Sequence, residues 1–160
     1  MSKSNKTNAM RMLDRAKVEY ETREYEFDPK HLSGIELAKR NNLPVKQLYK
    51  TILVKGNRTG YLVACLEADR EIDLKKVAKL SSNKSVELVH VNDLEKITGY
   101  IRGGCSPIGM KKKFPTFADT SILKHEKIFI SGGRRGLQIV ISPKKLIDFC
   151  QITIGDITLD

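Results

Sequence analysis

Two apolar, β-prone runs, residues 49–54 and 61–66, are separated by six residues that include Gly56, Asn57 and Gly60. Glycine and asparagine tolerate positive φ, so this segment reads as the turn of a β-hairpin, which places Lys50 on a strand. A second pair of runs, 127–130 and 137–141, flanks a glycine-rich segment, 131–136, and predicts a second hairpin. Hairpins join antiparallel neighbours directly, whereas parallel strands need long crossovers. A chain dominated by hairpins therefore argues for a mixed sheet or partly closed barrel over a doubly wound parallel sheet.

Helices fill the remaining segments. Ala9, Met12, Leu13 and Ala16 recur at helical spacing over residues 5–17, and residues 18–27 alternate like a strand. Ser33 and Glu36 have the spacing of a capping box ahead of a helix to about Asn41, and Pro44 suits the first turn of another short helix. Asp73 can cap a helix over 74–80, and residues 86–89 read as a strand. Asn92 and Glu95 mark a capped helix ending near Gly99, and Pro143 after Ser142 opens a last helix to about Cys150. The expected fold class is α/β (α+β).

At 160 residues the chain suits one domain, 1–160. It has no apolar stretch long enough to span a bilayer, and residues 1–7 lack the apolar core of a secretory signal, so a cytoplasmic location is expected. Cys65, Cys105 and Cys150 form no CxxC pair, which fits reduced thiols better than a disulfide frame or a zinc site; no metal and no cofactor is expected. The net charge of +10 favours a polyanionic partner, although a solubility surface would look the same.

Chemistry concentrates in two glycine-rich loops, 103–109 and 131–136. Glycines let a backbone approach a ligand and aim N–H groups at a carbonyl or phosphate oxygen, although they also serve ordinary turns. Lys111, Lys112 and Lys113 follow the first loop, and Arg134 and Arg135 lie inside the second, where a phosphate or 3′ nucleotide could dock. His31, His90 and His125 are scattered, no GxSxG elbow is present, and Cys105 beside Ser106 has no local base. Lys50, early in an apolar run, must either point outward or enter the interior with a partner; the pattern alone favours outward.

Val18 to Pro29, Tyr49 to Val54, Asp73 to Lys79, Thr98 to Gly109 and Ser131 to Leu137 together resemble, in order and spacing, the YbaK/EbsC family. The resemblance implies a mixed six- or seven-stranded barrel-like sheet surrounded by helices, related to the editing insertion of bacterial prolyl-tRNA synthetases. It implies deacylation in trans of Cys-tRNA(Pro), the substrate's own thiolate attacking its ester, with prolyl-tRNA synthetase as a partner; the oligomeric state is left open by the sequence, a monomer being the default. Hydrolysis by water, action on Ala-tRNA(Pro) and a non-catalytic RNA-binding role are the alternatives.

By the same resemblance Lys50 is the essential lysine, overriding the outward reading, and Gly104 and Pro107 belong to the catalytic loop. Tyr25, Thr51, Gly103, Cys105, Ser106, Gly109, Ser131, Gly132 and Gln138 would surround the substrate. Two residues depart from the family pattern: Gln138 stands where an aspartate is expected, and Cys105 replaces an aliphatic residue.

Overall fold

The computed structural model describes residues 6–27 and 34–160, so Ser33 of the capping box and His31 lie outside the described residues. Both expected hairpins form. Strand β2 (Tyr49–Gly56) pairs along its whole length with β3 (Gly60–Glu67), and β6 (Ile128–Ser131) pairs with β7 (Leu137–Ile141). The second hairpin gains β1 (Glu21–Glu24), giving a three-stranded sheet in the order β1-β7-β6. The first gains β4 (Val86–Leu88) and two short parallel strands, β5 (Thr116–Asp119) and β8 (Thr153–Gly155), in the order β4-β2-β3-β5-β8.

The expected six or seven strands are thus eight in two sheets, and among the described residues no closed barrel forms. The sheets meet at an isolated parallel bridge between Leu48 and Phe129. Because β3 occupies one edge of β2, the other edge is divided: its beginning faces β6, and its end, Val54–Gly56, faces β4. This divided edge sets the start of β2, which carries Lys50, alongside β6, which leads into the second glycine-rich loop.

Helix α1 (Asn8–Arg15) is shorter than the periodicity predicts and is capped by Thr7, whose hydroxyl accepts from the Met10 N–H at 3.2 Å. Helices α2 (Gly34–Arg40), α3 (Leu74–Leu80), α4 (Val91–Thr98) and α5 (Pro143–Cys150) follow. Asp73 caps α3 as expected, and Gly99 ends α4 with φ 87°, a left-handed conformation glycine adopts without strain. His90, rather than Asn92, caps the start of α4 through Nδ1. Pro44 precedes a single 3-10 turn, Val45–Gln47, instead of an α-helix.

The largest core lies between the sheets, where Tyr49, Leu53, Val63 and Cys65 meet Ile128, Ile130, Leu137 and Ile139 under α1 and Leu146 of α5. A second cluster covers the opposite face of β2 and β3, where Val54, Leu62, Ala64 and Leu66 pack against Val77 and Ala78 of α3. A third lies on the outer face of the small sheet, with Leu48, Phe129 and Val140 under Ala38 of α2. Among the described residues no helix is long and apolar enough to cross a membrane.

Candidate active site

Strand register determines which candidate residues share a face. Gln138 stands opposite Ser131 on one side and opposite Arg23 on the other. Ser131 lies two residues beyond Phe129, and Lys50 two beyond Leu48, with the strands running parallel at the Leu48–Phe129 bridge. Side chains alternate along a strand, so Lys50, Ser131 and Gln138 stand on the face that carries Leu48, Phe129 and Val140. Tyr25 continues the ladder past β1, its N–H donating to the Gly136 carbonyl at 2.9 Å.

Lys50 is half-buried, and its ammonium reaches the Ala68 carbonyl at 3.4 Å. Burial pulls this ammonium below the usual lysine range, while the carboxylates of Glu71 and then Asp69 push back. Among the described residues it makes no ion pair within 4.0 Å, so its remaining N–H donors are available to a ligand. The Asp69 carboxylate pairs with Lys46 at 3.1 Å through one oxygen, and its other oxygen is buried without a partner. The Gln138 side-chain oxygen is likewise buried and unpartnered.

The two loops pack backbone to backbone. A Cβ on Gly104 would lie 3.0 Å from Arg134 Cα and 3.2 Å from Arg135 N, so only glycine permits this approach. The Gly104 N–H is turned back onto the Ile101 carbonyl at 2.9 Å, and Arg135 Nε donates to the Arg102 carbonyl at 2.9 Å. The start of α1 holds both loops: the Thr7 hydroxyl donates to the Gly132 carbonyl at 2.5 Å, and Asn8 Nδ2 donates to the Gly109 carbonyl at 3.0 Å. Tyr100 braces the first loop internally, its hydroxyl donating to the Ile108 carbonyl at 2.5 Å.

Other candidates are placed differently. Thr51 faces the inter-sheet core opposite Cys65, and its hydroxyl is buried with the Cys65 thiol short of hydrogen-bond geometry. Ser106 is fully buried, its oxygen accepting from the Ile108 N–H at 3.2 Å, and Cys105 is buried beside it. The Pro107 carbonyl faces the Cys150 sulfur at 4.0 Å. Lys111, Lys112 and Lys113 are exposed; Lys111 reaches the Lys96 carbonyl at 3.3 Å and Lys113 reaches Gln151 at 2.9 Å. Arg134 is half-buried and Arg135 exposed. Sequence reasoning missed Asp69 and Glu71, which follow β3 without a motif, and Arg102 and Phe27, which tertiary contacts alone bring to Arg135. His125 packs edge-on against Tyr49, 6.0 Å between ring centres. A shallow open groove lined by Lys6, Met10, Asp14, Tyr20 and Thr22 holds none of the candidate residues.

The cysteines are inert as nucleophiles. Burial pushes the Cys65 thiol up to about 12 and those of Cys105 and Cys150 up to about 11, from the ordinary thiol value of 9.0. All three are protonated in the folded protein near neutrality. Because the folded values exceed the unfolded one, their contribution to stability is fully present below about pH 9 and is lost as pH rises toward 11–12. Each thiol is expected to steepen the loss by up to about 1.4 kcal/mol per pH unit in that window. Thermal melts from pH 8 to 11 should show the fall, and Cys65→Ala should flatten it.

The family model of the aminoacyl-tRNA editing domain matches residues 30–149. The chain is 44% identical over 153 residues to the Enterococcus faecalis protein named "Putative Cys-tRNA(Pro)/Cys-tRNA(Cys) deacylase EbsC", covering 96% of this chain and 93% of that protein. It is also 29% identical over 99 residues to a proline–tRNA ligase of Brachyspira hyodysenteriae, across 62% of this chain and 17% of the ligase. The solved structure of a "putative trans-editing enzyme for prolyl tRNA synthetase" shares the fold with a TM-score of 0.81 at 18% identity, covering 100% of this chain and 99% of that one. With its matched segment containing Lys50 and both glycine-rich loops, the chain belongs to the aminoacyl-tRNA editing-domain family.

Proposed function

We propose that the protein is a trans-editing deacylase that removes cysteine from mischarged Cys-tRNA(Pro), acting in the cytoplasm with prolyl-tRNA synthetase as partner. One observation carries the reading: among the described residues the site offers charge and backbone donors, but no serine, threonine or cysteine of it is paired with a base. The Cys105 thiol beside the first loop is buried and pushed up to about 11, and the buried Ser106 hydroxyl is engaged by the Ile108 N–H. The cysteinyl group supplies what is missing, since a cysteine thiol titrates near 8.5 in water and is partly thiolate at neutral pH.

In this mechanism the substrate sulfur attacks its own ester carbonyl. A C–S bond forms, the C–O bond to the 3′ oxygen breaks, and the thiol proton ends on the released 3′ hydroxyl, so a cyclic thiolactone leaves without consuming water. Attack within one residue replaces the positioning an external nucleophile would need. Lys50 and backbone N–H groups of the 103–109 loop stabilise the developing oxyanion, and Gln138 and Ser131 bound the amino-acid pocket. The name of the Enterococcus faecalis relative, which includes both Cys-tRNA(Pro) and Cys-tRNA(Cys), supports selection by the amino acid more than by the tRNA body.

The test is deacylation of Cys-, Ala- and Pro-tRNA(Pro) side by side. Loss of cysteine alone is the expected result; comparable cleavage of Ala-tRNA(Pro) would overturn it.

A further inference from the structure

Arg135 is exposed, yet its guanidinium is held from several sides. The Phe27 ring lies 4.9 Å from it, and its Nε donates to the Arg102 carbonyl at 2.9 Å. Gly103 packs along its stem, where a Cβ would stand 3.4 Å from both Cγ and Nε and 3.7 Å from the Phe27 ring. With φ at +87°, Gly103 also occupies a conformation that other residues reach only with strain. An exposed arginine normally samples many rotamers, whereas this one has an aromatic ring on one side and a fixed hydrogen bond at its edge.

A planar cation held over an aromatic ring is the kind of surface on which unpaired nucleobases stack. A bare phosphate contact would not need the ring or the fixed edge. Basic residues adjoin the pair: Arg134 precedes Arg135 in sequence, and the Arg102 backbone carbonyl accepts from Arg135 Nε. Gly103, which touches Arg135, is followed directly by Gly104 of the loop proposed to hold the ester oxygen.

We propose that Phe27 and Arg135 form a stacking platform for the unpaired 3′-terminal base of the bound RNA. The placement of this base next to the ester rests on the deacylase reading; the stacking itself does not. Stacking then sets how the terminal nucleotide enters the site, and the exposed lysines serve phosphates further along the strand.

The experiment uses an uncharged acceptor-stem RNA hairpin carrying 2-aminopurine as its 3′-terminal base. Wild-type protein should quench this probe on binding and leave a probe inside the stem unquenched. Arg135→Lys keeps the charge but loses the plane, so it should weaken binding at least about fivefold and remove most of the quench while leaving the salt dependence unchanged. Phe27→Leu, which frees the guanidinium, should reduce the quench in the same direction. Full quenching by Arg135→Lys would overturn the platform and leave Arg135 a phosphate contact. An unquenched terminal probe on RNA-bound wild-type protein would overturn it as well. Quenching by a wild-type protein that leaves Cys-tRNA(Pro) intact would support the platform and sink the deacylase reading; cleavage without quenching would do the reverse.

Discussion

Lys50→Ala should lower kcat on Cys-tRNA(Pro) by about 10²–10³-fold, the usual cost of removing one donor aimed at a developing oxyanion. Phosphate contacts spread over several basic residues would carry most of the affinity, so binding of the tRNA should change by no more than about twofold. The protein should not be destabilised. Burial already disfavours the Lys50 ammonium, and its hydrogen bond among the described residues, to the Ala68 carbonyl, is long at 3.4 Å. Removing a partly desolvated charge that lacks a close ion pair relieves a cost. Single-turnover kinetics with a thermal melt of the same variant separate chemistry from folding. A variant with unchanged kcat and a lowered Tm would reassign Lys50 to a structural role.

Substitution of Gly104 should act through geometry. In Gly104→Ala the added Cβ meets the Arg134 Cα at 3.0 Å and the Arg134 carbonyl carbon at 3.2 Å, atoms of a backbone that has no rotamer by which to move away. The two loops must part by a few tenths of an ångström, which should cost about tenfold in kcat. Gly104→Val should separate them further and cost about 10²-fold or more, because displacements near an ångström are felt at that scale. Both variants should also disturb Arg135, whose backbone N lies 3.2 Å from the added carbon. Equal activity of wild type, Gly104→Ala and Gly104→Val would show that close packing of the loops plays no part in the reaction.

The parts of this architecture legible in the sequence are those encoded locally. The hairpins at 49–67 and 128–141 follow from turn residues flanked by β-prone runs, and the caps at Asp73 and Gly99 from side chains and φ preferences that act within a few residues. Strands β5 and β8 carry no such mark. Each has only three or four residues, is paired in parallel to distant partners, and is stabilised by contacts such as the buried Asp119 accepting from the Ile157 N–H at 3.0 Å. Their formation depends on the assembled sheet.

The site divides in the same way. Glycine-rich loops can be read from composition, but that Gly104 touches Arg134, or that the start of β2 runs beside β6 at the Leu48–Phe129 bridge, depends on contacts between residues far apart in sequence. The pattern alone favours an outward Lys50, whereas the structure half-buries it between two apolar clusters on the divided strand β2. The family resemblance supplied the emphasis on Lys50 that hydropathy could not. Thr51 shows the converse: adjacency in sequence to Lys50 puts it on the opposite face of the strand, toward Cys65.

Cleavage by the substrate's own thiol is tested by comparing single-turnover deacylation of Cys-tRNA(Pro) with that of the same tRNA carrying S-methylcysteine. Attack by the substrate thiol requires rapid release from the first and a rate near the uncatalysed background for the second. Equal cleavage of the two would contradict it and assign the nucleophile to water.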